Sequence, residues 1–195
     1  MHSSNHAVLV GLPADLDRAT AQVLRARGAR VTSSRVEPDG VLRPAPDLFV
    51  IGSTAPRPAA AFSDIDPQTW WAEVEGRLSA LFALVRAAGR ELTGAGGGRI
   101  VLVLDARGLA GAAGATVDAT VGAAAIALTK SLARELGPAH IAVNAAAVSA
   151  PPEPGFTTPT PLHIAETIGF LANPHLPSLT GQIIPCTGGT IRTRP

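Results

Sequence analysis

Six short apolar runs alternate with longer amphipathic segments, and this alternation constrains the fold more than any other feature of the sequence. The runs cover residues 6–12, 29–34, 47–53, 99–106, 140–148 and 181–189. Runs that are apolar throughout, with no polar residue at every second position, are typical of strands buried on both faces. Such strands, separated mostly by helices, indicate a parallel sheet covered on both sides.

The segments between the runs have helical periodicity, and four of them are long enough to be helices: residues 15–28, 66–92, 116–137 and 162–173. Right-handed crossovers would then wind these helices onto both faces of the sheet. The predicted fold class is α/β: a Rossmann-like doubly wound parallel sheet of about six strands in a three-layer sandwich. We expect one domain over residues 1–195, with residues 1–5 disordered.

Charge and composition argue against several classes of function. The net charge is +1 and the arginines are scattered along the chain, which argues against a nucleic-acid partner. No stretch approaches the roughly 18 apolar residues of a membrane span, and the first residues do not look like a signal peptide. The five histidines and Cys186 have no metal-ligand spacing, so no metal site is expected. A single cysteine cannot form an internal disulfide, which fits the cytoplasm.

Five stretches, taken in order, resemble the classical short-chain dehydrogenase/reductase family, most closely its acyl-carrier-protein ketoreductase branch. Four of them match the central strand, catalytic helix, next strand, last helix and terminal strand of that family: GGRIVLVLDARGLAG, AIALTKSLARELGPAHIAVNAAA, IAETIGFLAN and LTGQIIPCTGG. The fifth, DPQTWWAEVEGRLSALF, looks like the helix through which family members dimerise. The resemblance covers nearly the whole chain and supports the predicted fold.

The resemblance implies four catalytic residues, and this chain carries none of them. In the family a tyrosine donates the proton, a lysine lowers its pKa and holds the nicotinamide ribose, a serine orients the substrate, and an asparagine completes a proton relay. By position these fall on Asp118, Gly122, Asp105 (Leu104 on a one-residue shift) and Arg77, and the chain contains no tyrosine. The catalytic site of the family is therefore predicted to be lost.

The glycine-rich cofactor turn of the family is also altered. Gly11 is present, but Asp15 and Asp17 stand where the later glycines are expected. Asp15 is predicted to cap the following helix, and its carboxylate would repel a pyrophosphate. The sequence therefore predicts no cofactor, with NAD(P) binding lost.

Two internal connections are short for the family. Residues 35–46 leave no room for a helix–strand–helix unit, and the loop that follows residue 149 ends at about Thr160. The chain is thus predicted to be truncated relative to the family, without an edge strand of the adenosine half and without a full substrate lid.

The leading hypothesis is a catalytically inactive member of the family that is a non-catalytic subunit. It would pair with itself or with an active ketoreductase-type relative through helices 66–92 and 116–137, whose small residues allow close approach. The alternative is a cofactor-independent dehydratase, cyclase or isomerase that uses Asp105 and Asp118, with help from Arg77 or Arg107. A conventional oxidoreductase and a small-ligand binding module also remain open.

Several of these residues have simpler structural explanations. Asp118 could cap the start of its helix, and Arg77 could form a buried ion pair with Asp105. Trp70 and Trp71 are expected to be core or interface anchors.

Overall fold

The fold is a six-stranded, all-parallel sheet with helices on both faces, in a computed structural model that describes residues 5–33, 46–53, 58–148 and 156–191. The strands are β1 His6–Val10, β2 Arg30–Ser33, β3 Leu48–Gly52, β4 Gly98–Asp105, β5 Ile141–Val148 and β6 Ile183–Cys186. The helices are α1 Ala14–Ala26, α2 Pro67–Ala95, α3 Arg107–Ala110, α4 Thr116–Glu135 and α5 Pro161–Leu171.

The strand order β2-β1-β3-β4-β5-β6 confirms the doubly wound prediction. From β1 the chain first steps outward to β2, then returns to β3 on the other side of β1 and continues in one direction to β6. The direction of winding therefore changes between β1 and β3. A crevice opens at this switch point in folds of this kind, at the carboxyl ends of the strands.

The helices form two layers around the sheet. Helices α1 and α5 pack together on one face, over a core that includes Leu9, Val50 and Ile168. Helices α2 and α4 cover the other face, over a core that includes Ile100, Leu102 and Val143. The sandwich therefore has the three predicted layers.

Local sequence explains the ends of the longest helix. Asp66 caps α2 by accepting a hydrogen bond from the backbone N–H of Thr69 at 2.8 Å, and Pro67 occupies the first helical position, where no N–H is needed. Gly96 ends the helix in the left-handed conformation, with φ of 86°. Residues 93–95, predicted to belong to a turn, continue the helix instead.

Three sequence-based expectations fall largely on residues that the structure leaves undescribed. Residues 1–4 lie outside the described ranges, as do residues 34–45 of the short connection and residues 149–155 of the trimmed loop. Within the described part of the chain, β2 and β6 are the two edge strands of the sheet. None of the described helices combines the length and the apolar character that a membrane crossing requires.

Candidate active site

A cluster of charged side chains lies where the carboxyl end of β4 meets α3, α4 and α2. Asp105 is the last residue of β4, Arg107 opens the short helix α3, Asp118 lies in the first turn of α4, and Arg77 extends from α2. Because the carboxyl ends of parallel strands share one edge of the sheet, this is the edge at which folds of this class bind ligands.

Arg107 holds the carboxylate of Asp105 through three donors. The backbone N–H and Nε of Arg107 both donate to Oδ1 of Asp105 at 2.9 Å, and a terminal guanidinium nitrogen donates to Oδ2 at 2.5 Å. This hydrogen bonding raises the pKa of the Arg107 guanidinium above its ordinary value. Partial burial opposes that rise, while the charges of Asp105 and Asp118 add to it.

Asp118 joins two guanidinium groups in a nearly closed environment. The residue is only 4% exposed, and its Oδ1 accepts a hydrogen bond from Arg77 at 2.7 Å. Its Oδ2 lies 3.1 Å from the guanidinium of Arg107. The four side chains therefore form a continuous series, Arg77–Asp118–Arg107–Asp105, which we call the ion-pair chain.

The ion-pair chain corrects two predictions from sequence. Asp118 does not cap α4: the capping position is Ala115, and no side chain donates or accepts there. Arg77 pairs with Asp118 rather than with Asp105, because Arg107 already occupies Asp105. The bridging position of Arg107 was not predicted, and its spacing of two residues from Asp105 is the only signal for it in the sequence.

Gly122 lies against the backbone of α3, a helix that the sequence did not predict. A Cβ built on Gly122 would be 2.6 Å from the backbone oxygen of Asp105, and one built on Gly108 would be 2.3 Å from the backbone carbon of Gly122. Both distances are well below van der Waals contact, so the two helices approach this closely only because both residues are glycine. Gly122, which was predicted from sequence to match the lysine of the family, has no room for a side chain.

The two carboxylates have little freedom to act as an acid and a base. All four of their oxygens already contact a guanidinium or backbone donor of the ion-pair chain. The cavity next to Asp118, lined also by Trp70, Glu73 and Thr116, measures about 40 Å³. Ligand sites usually measure about 300–1,000 Å³, so this cavity holds only water-sized molecules.

The turn after β1 retains the close backbone packing of a glycine turn. Gly11 has φ of 68°, and a Cβ added to Gly52, at the end of β3, would lie 2.3 Å from the backbone oxygen of Gly11. The contact brings together the ends of the two strands that flank the switch point. Glycine is therefore required at both positions.

Asp15 and Asp17, in the first turn of α1, both accept hydrogen bonds from other groups of the protein. The prediction that Asp15 caps α1 is wrong, because the capping position is Pro13 and makes no side-chain bond. Asp15 accepts a hydrogen bond from the backbone N–H of Leu16 at 2.8 Å, and Asp17 accepts one from the hydroxyl of Ser33 at 2.7 Å. The close contact between Gly11 and Gly52 fits a dinucleotide at the switch point.

Comparison with known proteins gives one family and several relatives. Residues 46–162 match the family described as short chain dehydrogenase. The chain is 33% identical over 144 residues to the 3-oxoacyl-[acyl-carrier-protein] reductase FabG of Pseudomonas aeruginosa. That match covers 62% of this chain and 56% of the relative, so the chain spans little more than half the length of this curated relative.

Solved structures of two named dehydrogenases share the fold. Acetoin dehydrogenase from Enterobacter cloacae aligns with a TM-score of 0.78 at 19% identity, over 98% of this chain and 99% of that chain. Acetoin dehydrogenase YohF from Salmonella typhimurium aligns with a TM-score of 0.72 at 22% identity, over 94% and 86%. At these identities the likeness concerns the fold alone.

These relatives overturn the predicted loss of NAD(P) binding. They are named as a reductase and as dehydrogenases, and these homologues depend on NAD(P). The expectation of no cofactor is therefore wrong.

Proposed function

The chain belongs to the short-chain dehydrogenase family, and on that premise we propose that it has no hydride-transfer activity of its own. In this proposal it is an oxidoreductase-like, non-catalytic subunit in an assembly of family members. In the same proposal the chain functions as one domain in the cytoplasm, where a lone cysteine remains reduced.

The observation that carries the proposal is the ion-pair chain together with the Gly122 contact. The residues matched from sequence to the proton donor, the serine and the relay asparagine are Asp118, Asp105 and Arg77. Arg77 binds Asp118 directly, and Arg107 joins Asp118 to Asp105. The position of the lysine faces the backbone of α3 with no space for a side chain. The place matched to the tyrosine holds the carboxylate of Asp118, which Arg77 and Arg107 bind.

NAD(P) binding is compatible with this role. When bound, the cofactor supplies or accepts a hydride, and the switch-point turn at Gly11 and Gly52 would hold it. Without the proton donor and the lysine, the bound cofactor would stabilise the folded subunit rather than turn over.

The outer faces of α2 and α4 support the role as a subunit. Trp71 and Phe82 are 61% and 57% exposed on α2. Ala123 and Ala127 are exposed on α4, and side chains this small allow another helix to approach closely. Large exposed apolar side chains on one layer of a fold are typical of an interaction surface.

A cofactor-independent enzyme built on Asp105 and Asp118 has less support. Its two carboxylates would have to leave Arg77 and Arg107 before they could accept a substrate proton. The cavity of about 40 Å³ next to Asp118 would also have to open.

The decisive experiment is a turnover assay with NADPH and with NADH. The substrates are a 3-oxoacyl thioester and acetoin, chosen from the names of the relatives, and the Pseudomonas reductase is the positive control. We expect no cofactor oxidation or reduction above buffer from this chain, and co-purification of the chain with a family subunit. Turnover that is lost in Asp118→Asn would refute the proposal.

A further inference from the structure

A cleft of about 1020 Å³ lies at the amino ends of the strands, at the edge of the sheet opposite to the ion-pair chain. It is bordered by Arg99, near the start of β4, and by Asp47, which directly precedes β3. Arg99 and Asp105 lie near the two ends of β4, about 20 Å apart along the strand. The cleft is therefore separate from the switch point, and we call it the basal cleft.

The basal cleft has the size and the composition of a small-molecule site. Such sites usually measure about 300–1,000 Å³, and most of their lining is apolar with a few polar groups. The wall of the basal cleft is more apolar than polar, and the buried side chains of Ala7, Leu24 and Leu48 form part of it. The cleft can therefore cover a hydrocarbon body as well as a polar head.

Arg99 brings a positive charge to this wall without a close acceptor. Its side chain is 18% exposed, and its Nε is enclosed with no hydrogen-bond partner among the described residues. The ion pair with Asp47 is loose, because Oδ2 of Asp47 lies 4.0 Å from a terminal nitrogen, beyond hydrogen-bond distance. Burial lowers the pKa of the Arg99 guanidinium below its ordinary value, and the charge of Asp47 offsets that fall only in part. The guanidinium has thus lost water without gaining a matching partner.

The other charged and titratable groups at the border of the basal cleft also favour an anion. Arg27 lies there, with its guanidinium 2.6 Å from Glu166. His140 and His175 are exposed at the same border, and an imidazole N–H can donate a hydrogen bond to an anion. Among the described residues that line the cleft, the acidic side chain is that of Asp47. A cation bound to Asp47 would also meet the charge of Arg99, 4.0 Å away.

A carboxylate suits this arrangement better than a phosphate. Because Nε is enclosed, a ligand in the cleft would meet the terminal nitrogens of Arg99, whose parallel N–H groups match the two oxygens of a carboxylate. A phosphate monoester carries a charge of about −1.5 to −2 at neutral pH. The nearby carboxylate of Asp47 would therefore repel it more strongly than it repels a single negative charge.

We infer that the basal cleft binds a monocarboxylic acid with an apolar body. The carboxylate contacts the guanidinium of Arg99, and the body lies along Leu24 and Leu48. This inference goes beyond the proposed function, because the two sites lie at opposite edges of the sheet.

Titration of the ¹⁵N-labelled chain with sodium hexanoate tests the site, with the amide signals followed by nuclear magnetic resonance at constant salt. We expect saturable shifts at Gly96, Gly97 and Gly98, which line the basal cleft, and none at Gly11 and Gly52 of the switch point. Hexan-1-ol has the same body without the charge, so it should bind about tenfold more weakly or worse. Hexyl phosphate should bind about threefold more weakly than hexanoate.

Two variants should move the affinity in opposite directions. Arg99→Gln removes the cation and should raise the hexanoate dissociation constant about tenfold or more. Asp47→Asn removes the competing charge and should lower it about threefold. Arg18→Gln is the matched control, because Arg18 is an exposed residue of α1 that does not line the cleft, and it should leave the dissociation constant unchanged. Circular dichroism verifies that each variant is folded, and Asp47→Asn tests the site even if Arg99→Gln does not fold.

Several results would overturn the inference. These are the absence of saturable shifts at the three glycines, hexan-1-ol or hexyl phosphate bound as tightly as hexanoate, and an affinity that Arg99→Gln or Asp47→Asn leaves unchanged. Each leaves the proposed function intact, whereas turnover of NADPH would refute that function whether or not hexanoate binds.

Discussion

Removal of the Asp118 carboxylate should destabilise the protein strongly, since it is the central acceptor of the ion-pair chain. In Asp118→Ala, the guanidinium groups of Arg77 and Arg107 lose the carboxylate that lies 2.7 and 3.1 Å from them. Arg107 keeps Asp105, but Arg77 loses a charged partner inside a partly closed site.

The expected cost follows from the burial of the three groups. Removal of one partner of a buried ion pair typically costs about 3–5 kcal/mol of unfolding free energy. The side chain of Asp118 is 5% exposed, while those of Arg77 and Arg107 are 22% and 18% exposed, so water can reach the two cations in part. We therefore expect a loss of about 2–4 kcal/mol, and a melting temperature lower by roughly 5–15 °C for a chain of this size.

The assay is urea and thermal unfolding followed by circular dichroism, on Asp118→Ala and on the matched variant Asp64→Ala. Asp64 is an exposed aspartate that only accepts a hydrogen bond from Ser63, so its replacement should cost about 0.5 kcal/mol or less. In the double variant D118A/R77A the cation left behind is also gone. The double variant is therefore expected to lose less stability than the sum of the two single variants, with a coupling of about 1–3 kcal/mol.

The reasoning is refuted if Asp118→Ala unfolds within about 0.5 kcal/mol of the original chain, or if the losses for Asp118 and Arg77 simply add. Either result would mean that the two residues do not stabilise each other, and that the ion-pair chain does not stabilise the fold through this pair.

Three further predictions concern other positions. Gly122→Ala should lower the free energy of unfolding by about 2 kcal/mol or more, because its Cβ would lie 2.6 Å from a backbone oxygen. The control Gly76→Ala meets nothing within 4 Å and should stabilise its helix by up to about 1 kcal/mol. Paired urea titrations compare the two variants, and equal effects would contradict the close contact at Gly122. The pKa of Asp66 lies below its ordinary value of 3.8, because its carboxylate accepts hydrogen bonds from the backbone and then the side chain of Thr69. Its contribution to stability is therefore present above about pH 4 and lost as the pH falls through the lowered pKa, while Asp66→Asn should have no such pH dependence in melting curves recorded between pH 2 and 6. Burial raises the pKa of the Cys186 thiol, so alkylation at pH 8 should be much slower in the folded chain than after addition of urea, and equal rates would show that the thiol is not shielded.

The sequence determined most of the fold, because a strand buried on both faces must be apolar along its whole length. The runs that became β1, β3, β4 and β5 were identified to within one or two residues of their observed ends. Helix ends were predicted where a local residue sets them, as Asp66 and Pro67 do at the start of α2. The positions matched to the catalytic residues of the family were also predicted from sequence, since the match follows from register along two helices and one strand.

Short elements and side-chain partners could not be predicted in the same way. Helix α3 has only four residues, too few for a periodic pattern, and its position depends on the contact between Gly108 and Gly122. The choice of Asp118 rather than Asp105 as the partner of Arg77 depends on how α2 crosses α4, which no local pattern encodes.

The sequence by itself determined the parallel doubly wound sheet and the family, because these depend on periodicity and on residue identity, and it led to the prediction that the four catalytic residues are replaced. Only the tertiary structure decided which partners the charged side chains at these positions bind, because that depends on contacts between segments far apart in the chain. Arg77 and Asp118 are 41 residues apart in the sequence and 2.7 Å apart in the fold. Their pairing, the bridge through Arg107 and the closed space at Gly122 arise only when three helices converge on the end of β4.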